Sequence, residues 1–336
     1  MCEISIIMPV CTNAYYFKKA ISSIYNQSFT DFELICVDDC CKDQEVIKIF
    51  KEIECNENTK IIRNQNPEGA ASSRNKGLEV AKGNYVIFLD SDDIFHPHLL
   101  DMMYKEIKAD DSDVCVCSFS SFIESNKGEI ILTENKRMPK NLFEICNDES
   151  YLLKFSNCPW NKLIKKSYLL KHKLKFQNLS SCNDLNFSMM SIMCTNRISI
   201  VNELLIMYRT NSINAISRKR NSMNLYYAIE KTLNDIELES MLTKTNIKQI
   251  LYMLFYSLDY EIKSCIDKRH NISFIEASIS LWKKYEVFFA DDSINKKIKI
   301  IQHYGPNVYL LLIKYYLCIE KINRTFKTIF EKMCIW

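Results

Sequence analysis

The chain has 336 residues, of which 47% are hydrophobic and 25% are charged, and its formal net charge is +3. These values are typical of a globular protein with one to three domains, and the small net charge excludes a globally basic surface for nucleic acid. The fifteen cysteines are odd in number and include no C-x-x-C pair, which excludes a regular disulfide framework and a zinc set recognisable by its spacing. We interpret most of them as small core side chains in a reducing compartment.

Strands and helices alternate along the first 120 residues. Five short apolar runs are typical of buried strands, and four segments between them carry apolar residues at helical spacing. The predicted strands are Ile4–Pro9, Phe32–Val37, Lys60–Arg63, Tyr85–Leu89 and Val114–Phe119, and the predicted helices are Phe17–Asn26, Asp43–Glu54, Ala70–Ala81 and Pro97–Ala109. This alternation indicates βαβ units, and therefore an α/β fold whose mainly parallel, Rossmann-like sheet has helices on both faces.

The pattern becomes less regular in the second part of the chain. From about 122 to 215 it indicates short strands and loops, with helical stretches near Lys166–His172 and Leu185–Cys194. After about Arg218 the sequence is amphipathic and helical to its end. The Ser, Asn, Arg and Lys residues that cluster in Asn214–Asn224 predict a boundary between a first domain, 1–215, and a helical C-terminal region, 216–336.

Glycine is too scarce to form the common nucleotide-binding loops. The five glycines form neither G-x-G-x-x-G nor G-x-x-x-x-G-K-[ST]. An ordinary nicotinamide dehydrogenase and a P-loop ATPase are therefore excluded, and the phosphates of a bound nucleotide would need another partner.

Two predicted strands end in acidic pairs. Asp38-Asp39 follows one, and Asp90-Ser91-Asp92 with Asp93 follows another. Ligands bind beyond the carboxyl ends of parallel strands, and close carboxylates repel unless a cation lies between them. The D-x-D therefore predicts a site for Mg²⁺ or Mn²⁺, which share oxygen ligands with substrate phosphates. The alternatives are an acidic cap for the next helix and, for Asp38-Asp39, a simple turn.

The spacing of these and other motifs resembles glycosyltransferase family 2, which has the GT-A fold. The resemblance is strong over residues 3–100 and weaker to about 215. Its motifs are Pro9, Asn26-Gln27, Phe32-Glu33, Val37-Asp38-Asp39, Gly69, Arg74-Asn75, Gly77 and Asp90-x-Asp92. It implies an inverting enzyme of bacterial polysaccharide or cell-envelope synthesis, with a nucleotide-sugar-binding half, 1–120, and an acceptor half, 121–215.

The resemblance also implies a role for individual donor-side residues. Asp39 would receive the base, Arg74 would lie close to the nucleotide, and Asp92 would ligate Mg²⁺ or Mn²⁺ with help from Asp90. The residues that would bind the nucleotide-sugar are Pro9, Val10, Asp39, Arg74, Asp90 and Ser91. Cys40-Cys41 stand where the family commonly has Gly-Ser. Because cysteine tolerates a left-handed backbone poorly, the loop around the base is expected to differ.

Two residues are implied on the acceptor side. Trp160, in CPWNKLIKKSYL, would stack on an acceptor sugar, and its alternative is an ordinary core tryptophan. Asp184 would be the general base, although Asn183-Asp184 replaces the Glu-Asp of many relatives. Its alternative is an acid at the start of a helix. The Tyr-Arg of NELLIMYRTNSIN resembles the family's closing strand.

We therefore expect transfer of a sugar from a nucleoside-diphosphate sugar, with UDP favoured, to a hydroxyl of a glycan or lipid-linked glycan. Two alternatives remain open. A non-catalytic sugar-nucleotide-binding relative is suggested by the departures at Cys40 and Asn183. A sugar-phosphate nucleotidyltransferase would need a Gly-rich loop near its N-terminus, where this chain has PVCTNAYY.

The location of the protein is predicted from its two ends. The opening MCEISIIMPV has no basic segment, and the apolar run 308–319 is shorter than the roughly twenty residues of a spanning helix, so we expect a cytoplasmic protein. Segment 283–336 has ten Lys or Arg and five acids, a net +5. We expect this segment either to contact anionic lipid at the inner face of the plasma membrane or to form a helical lid.

Overall fold

The computed structural model describes residues 2–125, 128–136, 158–195, 197–211, 221–239, 241, 247–264 and 272–285. The strands are β1 (Ile4–Val10), β2 (Phe32–Asp38), β3 (Thr59–Arg63), β4 (Tyr85–Phe88), β5 (Ile94–Phe95), β6 (Val114–Glu124), β7 (Ile130–Lys136), β8 (Lys162–Lys165) and β9 (Ile198–Arg209). The helices are α1 (Ala14–Tyr25), α2 (Gln44–Ile53), α3 (Gly69–Val80), α4 (Leu99–Ala109), α5 (Lys166–Lys171), α6 (Leu185–Met193), α7 (Ser222–Leu238), α8 (Ile247–Ser264) and α9 (Ile272–Lys284). All nine elements predicted in the first 120 residues are present.

The strands form one twisted sheet in the order β3-β2-β1-β4-β8-β6-β9-β5, with β7 beside β6. Neighbours β1, β2, β3 and β4 pair in parallel, as does β6 with β9. β8 lies antiparallel between β4 and β6, and β5 and β7 are also antiparallel to their partners. Six of the nine strands in the described residues therefore run the same way. The α/β prediction with a mainly parallel sheet is confirmed, and β8 and β5 add the mixed part that the sequence pattern did not reveal.

The sheet is buried on both faces because alternate strand residues enter two apolar cores. In β1, Ile7 joins the core under α3, while Ile6 and Met8 join the core under α1, α2 and α4. Strands buried on both faces read as continuous apolar runs, which is why the sequence revealed them. Gly77 lets α3 approach β1 closely, since a Cβ at this position would lie 2.4 Å from Ile7 Cγ2.

The C-terminal helices pack on the same core as α3 and α6. Ile229 and Leu233 of α7, Phe255 of α8 and Trp282 of α9 belong to the cluster that also contains Phe187 of α6. Helix α7 contacts α6, and α8 and α9 contact α7. Within the described residues, no helix is long and apolar enough to cross a membrane. The domain boundary at residue 215 stays a prediction. The described helices before and after this residue share one hydrophobic core.

The cysteines differ from their predicted role. Among the eleven in the described part of the chain, the buried ones are Cys36, Cys115, Cys117 and Cys158. The interpretation of most cysteines as core side chains is therefore wrong for this part. Several of the others lie in loops or at helix ends, positions that hydrophobic patterning does not mark.

Candidate active site at the carboxyl edge of the sheet

The two acidic motifs lie at the same edge of the sheet. Val10 of β1 is in register with Asp38 of β2, and Phe88 ends β4 beside Ile7 of β1. The D-x-D begins two residues after Phe88. Because β1, β2 and β4 are parallel, Asp38-Asp39 and the D-x-D extend from neighbouring strand ends, as expected.

Asp39 fixes the loop that leads into α3. Its Oδ1 accepts hydrogen bonds from the Glu68 N–H at 2.7 Å and from Asn64 Nδ2 at 2.9 Å, and its Oδ2 accepts one from the Gly69 N–H at 2.9 Å. The carboxylate is buried and holds the N-terminus of α3 against β2. Contact of Asp39 with a nucleotide base stays a prediction. A base that approached this loop would meet a carboxylate whose two oxygens already accept hydrogen bonds from the protein.

In the loop after β2, a cysteine has a backbone conformation that is unusual for this residue type. Cys40 has a φ of 61°, in the left-handed region that favours glycine. The backbone carbonyl of Val10 accepts hydrogen bonds from the Asp39 N–H at 3.1 Å and from Cys41 Sγ at 3.3 Å. Pro9 and Val10 therefore lie under this loop, and their contact with a nucleotide stays a prediction.

Arg74 links α3 to the D-x-D. Its guanidinium donates to Asp90 Oδ1 at 2.6 Å, and it lies over the ring of Phe176, 5.2 Å from the centroid. Arg74 is 6% exposed, and its Nε has no hydrogen-bond partner among the described residues. Ser91, next to Asp90, is also buried. A buried cation with spare donor capacity suits a phosphate group, the ligand for which arginine geometry is adapted.

A divalent cation fits the group of three aspartates. Asp90 and Asp92 are half-buried and offer the carboxylate oxygens that Mg²⁺ and Mn²⁺ prefer. Asp93 is fully buried, and its Oδ2 has no hydrogen-bond partner within the described residues. Burial raises the pKa of Asp93 well above its usual range, and the negative charges of Asp92 and Asp90 raise it further. A cation at Asp90 and Asp92 would offset that repulsion.

Asp184 lies near the same charges. It is the N-terminal cap residue of α6 and makes no capping hydrogen bond to that helix, so the alternative of an acid at the start of a helix stays open. Burial raises its pKa, while the positive charge of Arg74 opposes the rise and the negative charge of Asp90 adds to it. The structure thus brings the predicted base and the D-x-D close to the same arginine, Arg74. A carboxylate with a raised pKa is a better proton acceptor than an ordinary one.

Trp160 belongs to the core beside the aspartates. It is 5% exposed, stacks on Tyr208 with centroids 5.1 Å apart, and meets Phe119 edge-on at 4.6 Å. Little of the indole is open to a sugar, so the structure agrees with the alternative of a core tryptophan. Tyr208, on which Trp160 stacks, is only half-buried. Burial and the negative charges of Asp93, Asp90 and Asp92 raise the pKa of Tyr208 to about 12. An acceptor contact of Trp160 stays a prediction.

Sequence reasoning missed an ionic network that supports the D-x-D. Arg209, at the end of β9, donates from Nε to the Asp92 carbonyl at 2.8 Å and from its guanidinium to Glu124 Oε2 at 2.5 Å. Lys19 and Tyr15 of α1 donate to Glu124 Oε1 at 2.6 and 2.5 Å. The sequence pattern assigns the Tyr-Arg pair only to a strand. The signal in the sequence that could predict this network is a charged residue at the end of each of two long apolar strands, Glu124 in β6 and Arg209 in β9.

Comparisons with known proteins show the family of the chain. The family model described as "Glycosyl transferase family 2" matches residues 5–172. Poly(ribitol-phosphate) beta-N-acetylglucosaminyltransferase TarP of Staphylococcus aureus is 30% identical, over 70% of this chain and 71% of TarP. Glycosyltransferase GlyG of Streptococcus pneumoniae is 27% identical, over 62% of this chain and 71% of GlyG.

A solved structure shows the same fold. The crystal structure of S. aureus TarS 1-349 in complex with UDP-GlcNAc matches with a TM-score of 0.73 and 19% sequence identity. The match covers 94% of this chain and 91% of that one. At this identity the likeness concerns the fold, and it extends well beyond the 5–172 segment that the family model matches.

Proposed function

The chain belongs to glycosyl transferase family 2, and we propose that it transfers a sugar from a UDP-linked donor to a hydroxyl of a cell-envelope glycan or its lipid-linked precursor. One observation carries the proposal. The carboxyl of Asp184 has a raised pKa beside Arg74, which is also bonded to Asp90 of the D-x-D. A carboxyl suited to accept a proton and an arginine suited to bind phosphate therefore lie near each other.

The relatives support a choice of donor and acceptor. TarP is named for the transfer of N-acetylglucosamine to poly(ribitol-phosphate), and the TarS structure is described with UDP-GlcNAc. UDP-GlcNAc is accordingly the first donor that we propose, and a polymer rich in hydroxyl groups is the acceptor class. Other relatives are named as a beta-glucosyltransferase and a galactosyltransferase, so UDP-glucose and UDP-galactose belong in the same panel.

On the donor side, we propose that Asp92 and Asp90 hold Mg²⁺ or Mn²⁺. When bound there, the cation would neutralise the negative charge that appears on the departing nucleoside diphosphate. Arg74 would add a second positive charge near the phosphates, and Arg209 fixes the main chain of Asp92. The loop bonded to Asp39 would form the wall of the base pocket, with Cys40 in the left-handed position.

On the acceptor side, we propose that Asp184 accepts the proton of the attacking hydroxyl. A sugar hydroxyl is a weak nucleophile at neutral pH, and a positioned base lowers the barrier to its attack. The partly buried position of Asp184 disfavours its ionised form, which increases its affinity for that proton. One displacement from the side opposite the leaving group would invert the anomeric centre.

The test uses the purified chain, the three UDP-sugars and a hydroxyl-rich acceptor polymer, with and without Mn²⁺. We expect donor-dependent release of UDP in the presence of metal, and its loss in excess chelator. Asp184→Asn should keep donor affinity and reduce kcat by about 10²–10⁴-fold, whereas Asp92→Asn should reduce metal-dependent donor binding. A chain that binds UDP-sugar but neither transfers nor hydrolyses it would instead be the non-catalytic relative.

We also propose peripheral contact of segment 283–336 with an anionic membrane. Residues 286–336 lie outside the described residues, so the proposal rests on the net charge of +5 (ten Lys or Arg, five acids). The intact chain should sediment with phosphatidylglycerol vesicles at low salt but not with phosphatidylcholine vesicles, and deletion of Tyr304–Trp336 should abolish the effect. Failure to sediment at low salt would favour the helical lid.

A further inference from the structure

Three helices end at one place on the side of α6 away from the active site. His172 is the C-terminal cap of α5, Cys194 that of α6 and Glu239 that of α7. One ligand atom from each side chain, an imidazole nitrogen, the thiol sulfur and a carboxylate oxygen, lies within 4.8 Å of the other two. His172 and Cys194 are half-buried, and Glu239 is exposed.

The position is separate from the carboxyl edge. Asp184 begins α6 and Cys194 ends it, and ten residues at about 1.5 Å per residue place the two about 15 Å apart. Thr195, next to Cys194, donates to Asp113 Oδ2 at 2.8 Å, and Asp113 immediately precedes β6. The cluster therefore lies towards the amino ends of the strands, where it takes no part in the proposed sugar transfer.

The surroundings favour a cation. The C-terminus of a helix carries a partial negative charge, and here three such ends meet together with a carboxylate and an ionisable thiol. Two of these ends are also fixed to each other: Tyr168 of α5 packs on His172, with ring centroids 4.8 Å apart, and donates its hydroxyl to the Ser191 carbonyl of α6 at 2.9 Å. The imidazole and the thiol are thereby held near each other before any ion arrives.

The ligand types select the ion. Thiolate and imidazole suit Zn²⁺, whereas Mg²⁺ and Mn²⁺ prefer oxygen ligands. Bonds of about 2.0–2.3 Å in a tetrahedral zinc site put ligand atoms about 3.3–3.8 Å apart. The separations here are at most 4.8 Å, so each side chain would have to move by about 1 Å or less, and the exposed Glu239 is free to do so by rotation of its side chain.

We propose that His172, Cys194 and Glu239 bind a Zn²⁺ ion, with water as its fourth ligand. The ion would join α5 and α6 of the sheet domain to α7 of the helical region. Because α6 carries Asp184 at its other end, the ion would also fix the helix that presents the proposed general base. This site depends only on the three cap residues and would persist if the chain acted on a different donor or acceptor.

The test is a metal titration of the full chain after removal of metal by a chelator. We expect one Co²⁺ ion to bind with a thiolate-to-cobalt charge-transfer band and the strong visible absorption of tetrahedral cobalt, and Zn²⁺ to displace it. Zn²⁺ should also raise Tm in proportion to its occupancy. Cys194→Ser should abolish the charge-transfer band, and Glu239→Gln, at an exposed position, should weaken binding by at least about tenfold.

Matched controls separate this site from other thiols and carboxylates. Cys55→Ser and Cys11→Ser remove exposed cysteines elsewhere, and Glu52→Gln removes an exposed carboxylate of α2; all three should keep the band and the affinity. UDP-sugar binding, measured separately, tests the active site. Absence of the thiolate-to-cobalt band when the unsubstituted chain is saturated with Co²⁺ would overturn the proposal whatever Asp90 and Asp92 bind, as would a band that survives Cys194→Ser.

Discussion

Arg74 is the positively charged side chain that interacts with both Asp90 and Asp184 in the candidate site. The surroundings of these two carboxylates differ. Arg74 makes a direct ion pair with Asp90, at 2.6 Å, and its charge acts on Asp184 without a hydrogen bond between them in the structure. Asp184 retains a raised pKa because the cost of its burial exceeds the stabilisation that Arg74 provides. The two aspartates near this arginine therefore differ in their surroundings.

Because its pKa is raised, Asp184 in its ionised form is predicted to lower the stability of the folded chain at neutral pH. Its pKa in the folded chain lies above the value of about 3.9 in an unfolded chain, so folding favours the protonated form. The stability this group contributes is present below pH 3.9 and is lost as pH rises through the folded pKa. Asp184→Asn, which mimics the protonated form, should therefore raise Tm at pH 7 while reducing kcat by about 10²–10⁴-fold, and the gain in Tm should vanish in acid.

Thermal unfolding of both chains at pH 7 and near pH 4 measures this effect. Glu57→Gln, at an exposed position in a turn, is the control and should leave Tm unchanged. A lower Tm for Asp184→Asn at pH 7 would show that Asp184 is needed for the fold, which contradicts its assignment as a base held at a cost in stability.

At the scale of elements, a network of ion pairs and hydrogen bonds around Glu124 links the ends of β6 and β9 to helix α1. Phe122 of β6 is in register with Arg209 of β9, and Glu124 lies two residues further along β6. Burial alone would raise the pKa of Glu124, but hydrogen bonds from Lys19, Tyr15 and Arg209 outweigh burial and lower the pKa to about 2. Arg209 also packs between the rings of Tyr16 and Phe122. These contacts fix the loop that carries Asp92 and Asp93.

Removing the charge of Glu124 should destabilise the chain strongly at neutral pH. Glu124→Gln leaves the fully buried Arg209 without its ionic partner, which typically costs about 3–5 kcal/mol. The folded pKa of about 2 lies below the unfolded value of about 4.3. The stabilisation is therefore present above about pH 4.3 and is lost as pH falls through 2, so the difference between the two chains should shrink in that range.

Denaturant unfolding at several pH values provides the measurement. Glu54→Gln is the control, since Glu54 pairs with Arg63 at 3.2 Å on the surface and such pairs contribute about 1 kcal/mol or less. Equal effects of the two substitutions at pH 7 would contradict the role assigned to the buried network.

For the whole molecule, the helical region and the sheet form one hydrophobic unit in the described residues. The core under α3 continues through α6 to α7, α8 and α9 and contains both Phe88 of the sheet and Trp282 of α9. Burial of such large apolar side chains is the main source of folding free energy. Helix α6, which begins directly after Asp184, therefore lies between the sheet and the C-terminal helices, and its position depends on both.

Trp282→Ala tests this continuity. Trp282 is 0% exposed and packs edge-on against Phe255 at 6.3 Å, so its truncation should lower the free energy of unfolding by about 3–5 kcal/mol. Because the core is shared, UDP-sugar binding and helical signal should be lost in one transition. Tyr260→Ala, at a side chain that is 69% exposed, should change stability by no more than about 0.5 kcal/mol. Separate transitions for binding and helix content would contradict a single unit.

The sequence by itself determined the regular half of the molecule. Strands buried on both faces and amphipathic helices leave periodic apolar patterns in neighbouring residues, so every element of the first 120 residues except the two-residue strand β5 could be predicted. The acidic pairs after β2 and β4 followed from the same reasoning, because parallel strands must end at one edge. Asp184 came from the resemblance to a family, since an acid before a helix is common for other reasons.

Only the tertiary structure decided which distant residues meet. β8 enters between β4 and β6, and Arg209 reaches Glu124 across 85 residues, neither of which leaves a local pattern. His172, Cys194 and Glu239 come from three separate helix ends, at spacings that no zinc motif predicts. The physical reason is the same in each case. Local periodicity specifies how a segment folds, whereas the packing of segments specifies which strand and helix ends come together, and it is at those ends that the chemistry of this chain lies.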